Sequence, residues 1–419
     1  MKNKNIYLVL AGLLVTSNLY SLSLSEIEGE VTKEEKPALI KKSFKYSFFN
    51  TDEKTRRSFL SIQKHILEGD YKTAKEKGVE FYNRANSLNE DNELNKQLAN
   101  IALGNVYKAM GEVYKWKYMH LSALDYFIKL GKDKNNILNH NDYTFGMYEL
   151  SDILLETKPI DQVKEMFIKI NLNVRENKFK YPQKLFNISV MKFNLINAKI
   201  EYKRHNKEGM LNYFSRAEDS LKKVYTYYSL NEAHLIFDRA QWRYELTGKT
   251  DRALEDLKQA FIISKKILNK MNLSDRSVFL GDIYFSIGNI LSSGTKQEEA
   301  LDYLKKAREI FINTNSNTKE LNAIFQIINS YKILNKNKLS EEYIKLAKEK
   351  SKKYFGDKSV EYADSLIAEA DLINTVGDYR EALKIMEKAK LIYIDKFGLY
   401  SREVKMLNST LNYIKLKED

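Results

Sequence analysis

Residues 347–356, AKEKSKKYFG, and residues 389–398, AKLIYIDKFG, decide the fold. Their alanines and their Phe-Gly pairs are both displaced by 42 residues, so two separate landmarks share one offset. Between them, Gly377-Asp378-Tyr379-Arg380-Glu381-Ala382-Leu383 reads as a turn entering a helix, because Ala382, Met386 and Ala389 recur at the four- and three-residue steps of one helical face. The same small, large, small face appears upstream at Ala300, Leu304, Ala307 and at Ala253, Leu257, Ala260. Looser copies are Ser340, Ile344, Ala347, then Met210, Phe214, Ala217, then Val163, Phe167, Ile170, then Ala123, Phe127, Leu130. The first copy begins at Ala74, after Gly69-Asp70-Tyr71, and Phe81 completes its face. Eight anchors from Ala74 to Ala382 define seven intervals that average 44 residues. A chain of 419 residues is large for one core. The period makes it a stack of helical hairpins instead, in which no unit buries its apolar face alone.

Each anchor helix needs a partner helix before it. Tyr107, Met110, Gly111 and Tyr114 supply one before Ala123, and Tyr284, Ile287, Gly288 and Leu291 supply one before Ala300. Ile324, Ile327, Ile328 and Tyr331 precede Ser340, and Leu366, Ala370 and Ile373 precede Ala382. Asn194, Asn197, Ala198 and Glu201, before Met210, match least. Small residues let helices approach closely and large ones fill the gap between neighbouring hairpins.

On these residues, 57–415 resembles the tetratricopeptide repeat (TPR) family, with its large residue, Leu-Gly or Leu-Ala, Tyr, then Ala, Phe, Ala pattern. The long period, with Phe-Gly between units, is similar to the kinesin light chain subtype. The resemblance implies an all-α fold, a right-handed α-solenoid of about eight TPR-like helix-turn-helix hairpins over 57–400. Residues 401–419 are expected to form a C-terminal capping helix, with Val404, Leu407, Leu411 and Ile414 on one stripe.

Residues 1–23, MKNKNIYLVLAGLLVTSNLYSLS, follow the pattern of a secretory signal peptide: Lys2 and Lys4, an apolar run Ile6–Val15, then small and polar residues. The run is about half the length a membrane span needs, so cleavage is expected rather than anchoring, with no transmembrane span in the mature chain. Residues 24–56 read as a linker and N-terminal segment, acidic and then basic and aromatic. Export implies a periplasmic or secreted protein. Removing residues 1–23 lowers Lys+Arg from 69 to 67 against 56 acids, so the charge falls from +13 to +11. No block of six like charges occurs, so the excess reads as a solvated repeat surface and no nucleic-acid partner is expected.

Chemistry is scarce. With no Cys, disulfides, thiol catalysis and Cys-ligated zinc are excluded. The histidines, at 65, 120, 140, 205 and 234, never fall three to five residues apart, and His140 sits in a polar stretch, Asn135–Asp142, that reads as a loop. Gly248-Lys249-Thr250 and Gly294-Thr295-Lys296 lack the glycine spacing of a phosphate loop and read as turns. No Gly-x-Ser-x-Gly elbow occurs. The aromatic run Tyr225-Thr226-Tyr227-Tyr228 suits hairpin closure or stacking on a ligand. No enzyme activity, cofactor or metal is therefore expected.

What remains is recognition. In repeats of the family it resembles, first helices line a concave groove. That mapping places Asp238, Arg239 and Trp242, then Asp282, Phe285 and Asn289, then Asn322, Phe325, Asn329 and Lys332 in the partner-binding groove. Repeated amides there can pair with an extended peptide backbone, since each offers both donor and acceptor. The function expected is an exported, non-catalytic scaffold for protein–protein interaction in the bacterial envelope or outside the cell. The alternative is a receptor for a short peptide or glycan in the same groove.

Overall fold

The computed structural model describes residues 51–87, 92–131, 137–177, 183–224 and 229–418. The expected signal sequence, residues 1–23, residues 24–50 of the expected linker and the run Tyr225–Tyr228 lie outside these residues. Among the described residues there are eighteen α-helices, one short 3₁₀ helix and no strand.

The chain divides into two compact units, the first ending at Phe279. In the first, α1 (Glu53–Glu68) pairs with α2 (Tyr71–Ala85), and α3 (Glu93–Ala109) with α4 (Val113–Leu130). A broken first helix, α5 (Ile137–Glu149) and α6 (Ser151–Thr157), precedes α7 (Ile160–Glu176). Then α8 (Gln183–Lys203) pairs with α9 (Lys207–Lys222), and α10 (Leu230–Thr247) with α11 (Thr250–Lys270). His140 therefore lies in a helix, α5, and not in a loop. The second unit begins at Leu280, inside α12 (Val278–Ser292), which precedes α13 (Gln297–Asn313). It continues with the pairs α14 (Asn317–Ile333) and α15 (Asn337–Phe355), then α16 (Val360–Thr375) and α17 (Tyr379–Phe397), and ends with a single helix, α18 (Arg402–Glu418). These are eight TPR-like hairpins of an α-solenoid.

The turns inside the hairpins follow from two residue types. Gly69 and Gly377 end their helices in the left-handed region, with φ of 75° and 90°. The next residue caps the second helix: Asp70 accepts from the Thr73 amide at 3.2 Å and Asp378 from the Glu381 amide at 3.1 Å. His205 and Asn335 take the left-handed position in two other hairpin turns, and Asn315 takes it in the link between α13 and α14.

In seven of the eight second helices the fourth residue is the anchor, and Ala74, Val163, Met210, Ala253, Ala300, Ser340 and Ala382 are all fully buried. Large rings fill the space beside them. Phe81, Phe127, Phe167, Phe214, Phe261 and Phe311, one from each of the first six second helices, are buried, and each stabilises by about 2–3 kcal/mol through apolar burial.

The second hairpin sits one heptad earlier than its sequence pattern suggests. The fourth residue of α4 is Trp116, and Trp116, His120 and Ala123 form the packed series, all buried. Its partner glycine is Gly104, where an added Cβ would lie 2.3 Å from the His120 ring, and not Gly111. Gly111, with φ of 80°, ends the first helix and has nothing within 4 Å of a Cβ. In the fourth hairpin the polar series holds: Asn194, Asn197, Ala198 and Glu201 are buried, because Asn197 donates to the Phe193 carbonyl and Glu201 accepts from Lys164 and Asn206.

His120 carries a measurable consequence. Its Nδ1 accepts from the Trp116 indole N–H at 3.0 Å, which requires a neutral ring. Burial, aided by the charge of Lys108 and opposed by the nearby Ile101 carbonyl, brings its pKa down to about 4. A histidine neutral in the fold and free to charge when unfolded costs nothing above pH 6.5. As pH falls from 6.5 towards 4, the unfolded state takes up the proton first and stability drops by about 3 kcal/mol. Denaturant titrations at pH 7.5 and 4.5 should show this component lost in His120→Gln; an identical pH difference in wild type and variant would contradict it.

Candidate functional site

The first helices of successive hairpins carry polar side chains among their packed ones. In the second unit these positions repeat with the period. Asp282 on α12, Asn322 on α14 and Asp364 on α16 are related by steps of 40 and 42 residues, and so are Asn289, Asn329 and Asp371. Lys319 on α14 reaches back to Asp282, its Nζ 2.6 Å from both carboxylate oxygens, and Lys332 on α14 pairs forward with Asp371 on α16. These bonds run from first helix to first helix, so the two rows lie along adjacent elements.

Every carboxylate in the rows is engaged. Asp364 accepts from the Tyr393 hydroxyl, and burial pushes its carboxyl up to about 6 despite that bond. Burial also raises Asp282, against the pull of Lys319. The amides are different: among the described residues, no hydrogen bond reaches the side chains of Asn289, Asn322 or Asn329, all of them half-buried.

The residues expected in the groove fall in different surroundings. Asp282, Asn289, Asn322 and Asn329 fall in the repeated rows, and Lys332 pairs with Asp371 at the end of one of them. Phe325 does not face outward: it is buried with Leu321, Ile324, Ile328 and Ile344. Phe285 packs half-buried against Leu301, Leu304, Ile327 and Tyr331. Arg239 is spent between second helices, donating to Glu218 on α9 and to Asp256 on α11, each at 2.8 Å. Trp242 lies against Tyr202 and Phe214, with centroids 5.2 and 5.0 Å away. Sequence spacing could not separate these roles, since an arginine or an indole one step around a helix reads equally as groove or as seam.

The first unit carries a different set on its first helices. Glu149 of α5 accepts from Asn105 of α3 at 3.0 Å and pairs with Lys192 of α8. Asp152 of α6 pairs with Lys108 of α3 and, at 2.7 Å, with Lys199 of α8. The fold encloses Asp152 and Lys199 although 23% and 20% of their side-chain surface stays accessible. Burial alone would raise the Asp152 carboxyl, but the two lysines outweigh it and hold the group well below the usual carboxylate range. Asp238, on α10, has no such help. Burial, against the longer-range pull of Lys199 and Lys108, lifts its pKa to about 6, and no hydrogen bond or ion pair reaches it among the described residues.

Among the described residues no group of three His, Asp or Glu side chains is arranged to hold a metal ion. The class that fold and polar rows define is a TPR-like helical repeat protein. No protein-family model matches the chain, and no curated protein matches it. Among solved structures, a Rap protein complexed with Competence and Sporulation Factor is similar, with a TM-score of 0.50 at 14% identity over 87% of this chain and 99% of that one. BtubC (BKLC) from P. vanneervenii aligns with a TM-score of 0.48 at 14% identity, over 58% of this chain and 95% of the other. A Podosopora anserina protein described as a kinesin light chain with nearly identical TPR-like repeats gives 0.41 at 14% identity, over 48% and 93% of the two chains. At this identity the likeness is one of fold.

Proposed function

We propose that the protein is an exported, non-catalytic TPR-like scaffold that holds an extended segment of a partner protein along the first helices of its second unit. One observation carries the reading: Asn289, Asn322 and Asn329 stand in register on adjacent helices with unbonded amides, while the charged groups beside them are occupied by one another. An amide offers a donor and an acceptor, the complement of a peptide unit, so the rows suit a main chain rather than a charged side chain. Binding of this kind is insensitive to salt, because no free charge is neutralised. The signal pattern of residues 1–23 supports export, and no helix among the described residues is long and apolar enough to cross a membrane. Export and the scattered lysines argue against a nucleic-acid partner.

The second reading, a receptor for a free short peptide in the same rows, draws on the similar Rap structure, which was solved with Competence and Sporulation Factor. Pull-down from envelope extract separates the two. A stoichiometric protein partner supports the scaffold; a short peptide released by heat supports the receptor; a released glycan would displace both. In either case Asn289→Ala with Asn329→Ala removes two hydrogen-bonding groups, each worth about 1 kcal/mol, and capture should weaken roughly 30-fold with the melting temperature unchanged. Undiminished capture by the double variant would sink the assignment of these rows.

A further inference from the structure

Gly69 differs from the other left-handed glycines of the chain. At Gly111, Gly248, Gly356, Gly377 and Gly398 an added Cβ would meet nothing within 4 Å, so those glycines serve only their turns. At Gly69 it would lie 2.6 Å from the Ser277 Oγ, 2.7 Å from the Phe279 amide nitrogen and 2.9 Å from that of Val278. These residues are about two hundred positions further along the chain, beyond the fifth hairpin. The Val278 amide donates to the Gly69 carbonyl at 3.1 Å. One residue pair away, the His234 Nε2 of α10 lies 3.0 Å from the Leu67 carbonyl oxygen, which fixes that nitrogen as the donor. The same imidazole stacks on the Phe279 ring, 3.5 Å between centroids and 13° from parallel. Ser277, Val278 and Phe279 are each only 1% exposed, and α1 packs against α10.

We propose that the turn between α1 and α2 is a clasp that closes the first five hairpins on themselves. Stacking of one hairpin on the next explains neighbours, but nothing in a repeat requires the first hairpin to bond the residues that follow the fifth. The absence of a side chain at Gly69 lets two backbones meet, and His234 bolts the joint from α10. The first unit is therefore a closed turn of solenoid whose curvature is set by this joint, and releasing the joint frees the first hairpin from α10.

Gly69→Ala and Gly111→Ala, made in the full chain, test the clasp, because both strain a left-handed turn and only the first displaces the 277–279 backbone. Gly69→Ala should speed hydrogen exchange at the Val278 amide at least tenfold and enlarge the radius of gyration measured by X-ray scattering, while Gly111→Ala keeps wild-type values of both. Wild-type protection of Val278 in Gly69→Ala, or an equal loss in Gly111→Ala, overturns the proposal. Should circular dichroism show Gly69→Ala to be unfolded, His234→Ala decides. It removes the Leu67 bond and the Phe279 stack without touching a turn; faster exchange at Val278 supports the clasp and wild-type exchange refutes it.

Discussion

Asp238→Asn should raise the stability of the first unit at pH 7.5 by up to about 3 kcal/mol and leave it unchanged below pH 4. The folded carboxyl is held up to about 6 by burial, against an ordinary 3.8. A group with a raised folded pKa favours the fold while both states are protonated, and the advantage is lost as pH climbs from about 4 through 6. Above that window the protein carries an enclosed, unbonded carboxylate at a standing cost. Asparagine keeps the shape of the protonated acid and removes the cost. The measurement is the denaturant midpoint of variant and wild type at pH 3.8, 5 and 7.5, with a gap that opens as pH rises. A gap of constant size would show that shape, and not charge, is responsible.

Asp152→Asn, the same chemical change one hairpin pair earlier, should act in the opposite direction. Asp152 is the shared partner of Lys108 and Lys199, and its loss leaves the enclosed Lys199 ammonium and the partly exposed Lys108 ammonium facing an amide. Removing one member of an enclosed ion pair costs about 3–5 kcal/mol, and the accessibility of Lys108, with 41% of its side chain exposed, places this triad at or below the lower end. Lys199→Met added to Asp152→Asn should restore part of the loss, because the methionine fills similar volume without charge. A double variant as unstable as the sum of the two single ones would show that the pair is not coupled. Opposite signs for two Asp→Asn changes on first helices two hairpins apart would show that the inner charges are individually matched.

Much of this was legible in the chain because repeats are local. An anchor such as Ala300 or Ala382 packs within its own hairpin and against the next, so the same residue types recur at the same interval, and hairpin number and most registers can be read directly. The second hairpin escaped because Tyr107, Met110, Gly111 and Tyr114 imitate the family pattern one heptad late. The left-handed backbone of Gly111 rules that reading out, and a dihedral angle is not written in residue identity. The shared row of Asn289 on α12 and Asn329 on α14 is visible in the chain, because the period alone carries position from one helix to the next. Phe285 and Phe325 were misplaced because a ring at the edge of a polar stripe turns into the core whenever the next hairpin offers apolar surface.

By itself the sequence determined a helical repeat of about eight hairpins and, in all but the second, the residues on which each hairpin packs, since these depend on neighbours within about fifty positions. Only the tertiary structure decided that Arg239 and Trp242 serve packing seams, that Asp152 is matched and Asp238 is not, and that Gly69 meets Val278. Those facts depend on where successive hairpins rotate the chain in space, and small rotations accumulated over five hairpins bring together residues that no local pattern relates.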